Sequence, residues 1–259
     1  AAGLRKPVAQ IAEAYQTEYG VTVELQYGGS NTLLSQIEAS QIGDLYLAGD
    51  DSYVEIAQQK QLAQEAIPVA TMRPVVAVAR GNPHNIRRLE DLWRSDVSVA
   101  VANPDQAAVG KLLRRQLRST NQWQQLDEAV RTRGVYKPTV GEVANDVLLG
   151  SVDAGVVWDA VAAQYPDLEV LETPELSAAE VDIEIAVLSS SKQPTAALRF
   201  ARYLAARDRG LETFAELGYR PVEGDRWAPR PELTLFAGSV NRRVLETIIE
   251  SFTTRVKGF

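Results

Sequence analysis

Tyr27-Gly28-Gly29-Ser30-Asn31-Thr32-Leu33, followed by Asp44-Leu45-Tyr46-Leu47-Ala48-Gly49-Asp50-Asp51, is the stretch whose reading decides the fold. Val21, Val23 and Leu25 alternate with polar residues, which predicts a strand over Val21–Tyr27 running into a glycine-hydroxyl loop. A helix is expected to open at Asn31 or Thr32, with Leu33, Leu34 and Ile37 on one face. Paired glycines let backbone come close to a bound group, and a helix start carries N–H donors that nothing inside the helix satisfies. The helix dipole adds partial positive charge there, so the place suits a small anion, with Ser30 contributing a hydroxyl. The second stretch reads as a buried strand ending in acids at a sheet edge.

The composition limits what such a cleft serves. With 259 residues, 45% of them hydrophobic, the chain has enough apolar material for a large core or two lobes. The formal charge of -7 argues against nucleic acid as a partner, because neutralising phosphates needs a basic face. It is compatible with a small anion held by neutral dipoles. The absence of cysteine excludes a disulfide, a thiolate nucleophile and a zinc–thiolate site. No run of eighteen apolar residues occurs. The start at Ala1-Ala2-Gly3 reads as that of a trimmed mature chain.

Strand and helix signals alternate along the chain, which predicts an α/β fold with mainly parallel sheets. Helices are expected over Pro7–Tyr19, Asn31–Ser40, Asp51–Gln59, Leu89–Arg94, Val109–Ser119, Trp123–Thr132, Val140–Leu149, Trp158–Tyr165, Thr195–Ala206 and Leu211–Glu216. Strands are expected over Val21–Tyr27, Leu45–Ala48, Val75–Arg80, Val97–Ala102, Gly155–Val157, Leu168–Glu172 and Ile183–Leu188. The runs Arg73–Pro83 and Val181–Leu188 read as the two crossing strands of a hinge between lobes. A single continuous sheet is the alternative. In the tail, Leu233–Val244 echoes the start Ala1–Val8, with a strand before the motif that the N-terminal copy lacks.

The order Ala-Ala-Gly-Leu-x-x-Pro at Ala1, Tyr-Gly-Gly-Ser-x-Thr-Leu at Tyr27, Gly-Asp-Leu-Tyr-Leu-Ala at Gly43, Ala102-Asn103-Pro104 and Gly155-Val156-Val157-Trp158 resembles the molybdate/tungstate-binding proteins of ABC transporters. These are type II periplasmic binding proteins, and the resemblance covers roughly Ala1 to Val222. It implies a two-lobed α/β fold with a two-strand hinge: lobe one at 1–72 and 189–229, lobe two at 73–188, and a C-terminal extension at 230–259. It also implies capture of a small tetrahedral oxyanion, molybdate or tungstate first, for a membrane permease of an ABC importer. The location implied is periplasmic or extracytoplasmic, with a lipid anchor upstream of Ala1 as one arrangement. No cofactor, nucleic acid or catalytic residue is implied.

The family holds its anion with uncharged hydrogen bonds from both lobes. By motif, Ser30 and its neighbour Gly29 match the serine loop of lobe one. Val109 and Val143 match backbone donors of lobe two. Trp158 stands where the family has a tyrosine and offers an indole N–H instead of a phenol. Gly3 stands at the position of a first serine, so one hydroxyl is missing. These two departures leave sulfate and phosphate open as ligands, and a ligand-sensing module of a regulatory protein remains the alternative function.

Other residues have plainer readings. Ser30 as an ordinary helix cap is the competing account of that residue. Asp50 and Asp51 are expected to cap a helix starting at Ser52 rather than hold a metal. Glu142, Asn145, Asp146 and Asp159 read as a solvated face, with ion contact by Glu142 or Asp159 as the alternative. His84 reads as an exposed loop residue, Arg5 and Lys6 as a solvated first turn, and Trp93 and Trp123 as helix packing. One loop histidine, no cysteine and no Gly-x-Ser-x-Gly elbow leave little for hydrolytic catalysis, and no Walker-type loop or dinucleotide fingerprint occurs. Leu233–Phe236 has the character to fill a strand missing before Ala1, in the same chain or by exchange in a strand-swapped dimer; the start of a second, tandem binding module is the alternative reading of the tail.

Overall fold

A computed structural model describes residues 1–230, 234 and 239–255. The chain divides into a unit at Ala1–Asp225 and a second at Arg226–Phe259. In the second, a 3-10 turn at Ser239–Asn241 leads into helix α11, Arg242–Arg255. The expected strand Leu233–Phe236, and the strand-swapped dimer built on it, fall outside the described residues.

The first unit holds two sheets. Strands β1 (Leu45–Leu47), β2 (Ala63–Met72), β8 (Val181–Leu188) and β9 (Arg220–Pro221) form one, in the order β1-β8-β2-β9. Strands β3 (Pro74–Ala79), β4 (Val99–Ala102), β5 (Val135–Lys137), β6 (Ala154–Trp158) and β7 (Leu168–Leu171) form the other, in the order β5-β4-β6-β3-β7. Central strands β4 and β6 are buried along their whole length, which is why their sequences, Val-Ala-Val-Ala and Ala-Gly-Val-Val-Trp, carry no polar alternation.

Each sheet carries its own helices. With the first go α1 (Arg5–Tyr19), α2 (Ser30–Ser40), α3 (Asp51–Gln59), α9 (Pro194–Leu204) and α10 (Gly210–Glu216). With the second go α4 (Ala108–Ser119), α5 (Trp123–Arg133), α6 (Val140–Leu148) and the short α7 (Asp159–Ala162). Glycines allow the closest seats. A Cβ on Gly110 would run into the carbonyl of Ala102, and one on Gly155 would meet Val143 Cγ1 at 2.6 Å, so α4 lies tight on β4 and α6 on β6.

The chain crosses between sheets twice, at Arg73 and through the segment 172–180, which contains the short helix α8 (Pro174–Ser177). Four differences from the sequence reading follow from pairing. The sheets are mixed, not mainly parallel: β4 runs parallel to β5 and β6, and every other described pair is antiparallel. Crossing directly through Arg73 and returning through β8 sets neighbours in opposite directions, and alternation of helix and strand signals does not show that. Val181–Leu188 pairs with β1 and β2 and so belongs with the first sheet, not with the segment 73–188. The expected strand Val21–Tyr27 is extended backbone without a ladder, its end fixed by Ala2 N–H to Gly28 O at 2.8 Å. Alternation specifies extension, but a strand also needs a paired neighbour. Strand β2 was hidden by Pro68, which the sheet accepts beside a register shift between Pro68 and Ala70.

Candidate functional site

A cavity of about 20 Å³ lies where the two halves of the first unit meet. From the first half it is lined by Ala1–Leu4, Gly28–Ser30, Gly49 and Met72, and from the second by Ala107–Val109, Thr139, Val140 and Trp158. No charged side chain is among them. The lining gathers the starts of three helices, α2, α4 and α6, so the positive ends of three dipoles converge on one small volume.

Ser30 is the first residue of α2, with Gly29 in the cap position. It does not cap its own helix. Its Oγ accepts the Gly49 N–H at 3.1 Å, and its carbonyl accepts the Tyr46 hydroxyl at 2.8 Å. Tyr46 is buried, and that burial pushes its phenol far up, keeping it a donor. Ser30 itself is 1% exposed, and with its oxygen already accepting a bond its hydroxyl proton remains to be donated. Gly29 has a different part to play. A Cβ there would overlap Gln106 O and come 3.1 Å from Pro138 O. Backbone from the two halves therefore comes together closely here, and Asn31 secures the approach: its N–H reaches Gln106 O at 3.0 Å and its Nδ2 reaches Asp105 O at 2.8 Å.

Val109 is the second residue of α4, whose cap, Ala107, makes no side-chain bond. The first intrahelical bond is Lys111 N–H to Ala107 O, at 3.1 Å, so the N–H groups of Ala108 and Val109 keep their donors at the cavity. Val143 does not line the cavity. Its N–H bonds Thr139 O at 3.3 Å, and its fully buried side chain packs over Gly155. The residue of that helix start that does line the cavity is Val140, three residues earlier. A signal for it was present, because Thr139-Val140-Gly141-Glu142 is a capping box. Glu142 N–H reaches Thr139 Oγ1 at 3.4 Å, and Thr139 Oγ1 donates to Glu142 Oε1 at 2.7 Å.

Trp158, 2% exposed, closes the far wall. Its Cδ1 stands 3.3 Å from where a Cβ on Gly3 would lie, and Val140 Cγ1 stands 3.1 Å from the same point. The missing hydroxyl at Gly3 and the bulk of Trp158 are therefore one packing arrangement. The Gly3 carbonyl accepts the Tyr219 hydroxyl, which burial keeps protonated.

The acids are engaged elsewhere. Asp50, 2% exposed, caps α3 through Ser52 N–H at 2.9 Å. Asp159 is not a solvated residue: it pairs with Arg220 at 2.7 Å and with Arg73 at 3.6 Å. His84 Nε2 lies 2.9 Å from Asp153 Oδ1. Among the described residues no group of His, Cys, Asp and Glu is placed to hold a metal ion, and no helix is long and apolar enough to cross a membrane.

The model of the bacterial extracellular solute-binding protein family matches residues 1–220. The chain belongs to that family. It is 28% identical over 216 residues to the molybdate-binding protein ModA of Mycobacterium bovis, covering 80% of this chain and 77% of ModA. Its fold is that of the type II periplasmic binding proteins. The periplasmic molybdate-binding protein of Azotobacter vinelandii superposes with a TM-score of 0.71 at 16% identity, over 85% of this chain and 96% of that one. The sulfate-binding protein SubI of Mycobacterium tuberculosis gives 0.69 at 20% identity, over 85% and 83%. Members of this family are solute-binding proteins.

Proposed function

We propose that this chain captures a small, fully deprotonated tetrahedral oxyanion, molybdate or tungstate, by closing its two halves over it and presenting it to the membrane permease of an ABC importer. The observation that carries this reading is the convergence of three helix starts and the Ser30 hydroxyl on one cavity without charged side chains. Such a lining offers donors: Ser30 Oγ–H, the N–H groups of Ala108, Val109 and Val140, and the indole N–H of Trp158. Several of its oxygens are already engaged, with Gly28 O accepting Ala2 N–H, Ser30 O accepting Tyr46 and Thr139 Oγ1 paired with Glu142. A dianion that only accepts hydrogen bonds matches it, whereas hydrogen phosphate has to donate one and pays for an unmatched proton. The similarity to ModA over most of the chain supports molybdate first.

Sulfate is the second reading, since it is also a fully deprotonated tetrahedral dianion and SubI shares the fold. Calorimetric titration with molybdate, tungstate, sulfate and phosphate at neutral pH tests both. The expected order places molybdate and tungstate first and phosphate last. Heat with none of the four overturns the oxyanion reading, and sulfate binding more tightly than molybdate selects the second.

A further inference from the structure

We infer that Lys111 is a latch across the cleft, a positioning residue that sets ligand affinity by holding the two halves closed without touching the ligand; this rests on the proposed closure over an oxyanion. Lys111 stands on α4, one turn beyond the donors Ala108 and Val109, and is not part of the cavity lining. Its ammonium reaches the opposite half. Nζ donates to Ser52 Oγ at 2.8 Å and lies 4.1 Å from the centre of the Tyr53 ring, well inside the range of a cation–π contact. Both partners stand on the first turn of α3, packed on the first sheet, whereas α4 is packed on the second.

Behind Ser52 the contact continues to a charge. Ser52 Oγ donates to Asp50 Oδ1, and Asp50 is buried at 2% exposure with no cation paired to it among the described ion pairs. A buried carboxylate without a counter-charge is costly, and Lys111 supplies positive charge to it through one hydroxyl. Opening the cleft withdraws that charge, so Asp50 biases the molecule toward the arrangement in which Lys111 is seated. The neighbouring contacts are braced in the same direction. Arg114, the next turn of α4, pairs with Asp105 at 2.8 Å and steadies the loop whose carbonyls receive Asn31.

The geometry separates this role from ligand recognition. The donors at the start of α4 select the ligand; Lys111 decides how often that start is in place. A residue acting only through closure changes every ligand's affinity by the same factor, because it shifts the population of the competent state.

Cysteine is absent from the chain, so Ile42→Cys and Leu149→Cys, both at exposed sites and one in each half, give a unique pair for spin labels. In that background Lys111→Met keeps the apolar stem and removes the charge, while Lys111→Arg keeps a cation. Label distances are measured without ligand and with molybdate, alongside titration and stopped-flow dissociation with molybdate and sulfate. Lys111→Met is expected to move the ligand-free distances toward the open form and weaken molybdate binding about tenfold. Most of that change should lie in the dissociation rate, with the molybdate-to-sulfate ratio unchanged and Lys111→Arg recovering part of the loss. Distances and affinities identical to the parent, or a changed ligand ratio, overturn the latch. If the parent binds neither anion, the oxyanion reading fails by itself, and the ligand-free distances still decide the latch.

Discussion

Ser30 and Gly29 are adjacent yet contribute opposite things to the cavity, one a donor and the other an absence. With Ser30 Oγ accepting Gly49 N–H and its carbonyl accepting the Tyr46 hydroxyl, the Ser30 hydroxyl proton is left to be offered to a bound anion. Ser30→Ala is expected to cost about 1–3 kcal/mol of anion binding by calorimetry, the scale of one buried donor to a charged group. It should leave the closed arrangement reachable. Gly29→Ala should do the reverse. Its methyl group would occupy the space of Gln106 O, so the halves stop short of closing. Binding should weaken more than tenfold for every anion, while the thermal stability of the ligand-free protein stays near that of the parent. Gly3 and Trp158 belong together at this scale too, since a Cβ on Gly3 would stand only 3.3 Å from the indole Cδ1.

Helix starts are the working elements of this site, and they were unequally legible. The start of α2 was visible in Gly28-Gly29-Ser30, because glycine before a polar residue and an apolar face marks a helix entry. At α6 the resemblance pointed to Val143, but the helix begins at Val140 and consumes the Val143 N–H in its own first turn. The strands differ in the same way. Fully apolar β4 and β6 were readable, whereas β2, interrupted by Pro68, was not. On β8, Glu184 carries an electrostatic cost. Its carboxyl is raised above its ordinary value of 4.5, mainly by burial and then by Asp51, Asp182 and Glu55. The folded state therefore binds its proton more tightly than the unfolded chain, and stability falls as pH rises through the window above 4.5. Glu184→Gln is expected to raise the melting temperature at pH 7 by about 1–3 °C, with the gain fading near pH 4 in a calorimetric series.

Between the two sheets the chain passes at Arg73 and again through 172–180, and the charges around Asp159 tie these crossings together. Asp159 pairs with Arg73 and Arg220, Arg73 pairs with Glu172, and Arg220 pairs with Glu180 at 2.9 Å. Hydrogen bonds from Thr71 and Arg220 hold the Glu180 carboxyl below its usual range. Asp159 also directly follows Trp158, so the hinge network and the cavity wall share a backbone. Asp159→Asn removes one of the two carboxylates that each of Arg73 and Arg220 pairs with and is expected to lower stability by about 1–3 kcal/mol, read as a lower denaturant midpoint. Its effect on anion affinity should be smaller than that of Gly29→Ala, because the donors of α2 and α4 remain.

What the sequence determined by itself was local: alternating periodicity, glycine and hydroxyl signals at helix entries, and a charge balance that argues against nucleic acid while permitting a dipole-held anion. These depend on neighbours along the chain. Tertiary structure alone decided which strands pair and in which direction, that Val181–Leu188 returns to the first sheet, and that Val140 rather than Val143 faces the cavity. It also decided that Lys111 meets Ser52 and Tyr53. Those outcomes rest on contacts between residues far apart in sequence, and local periodicity carries no information about which distant partner a surface will meet.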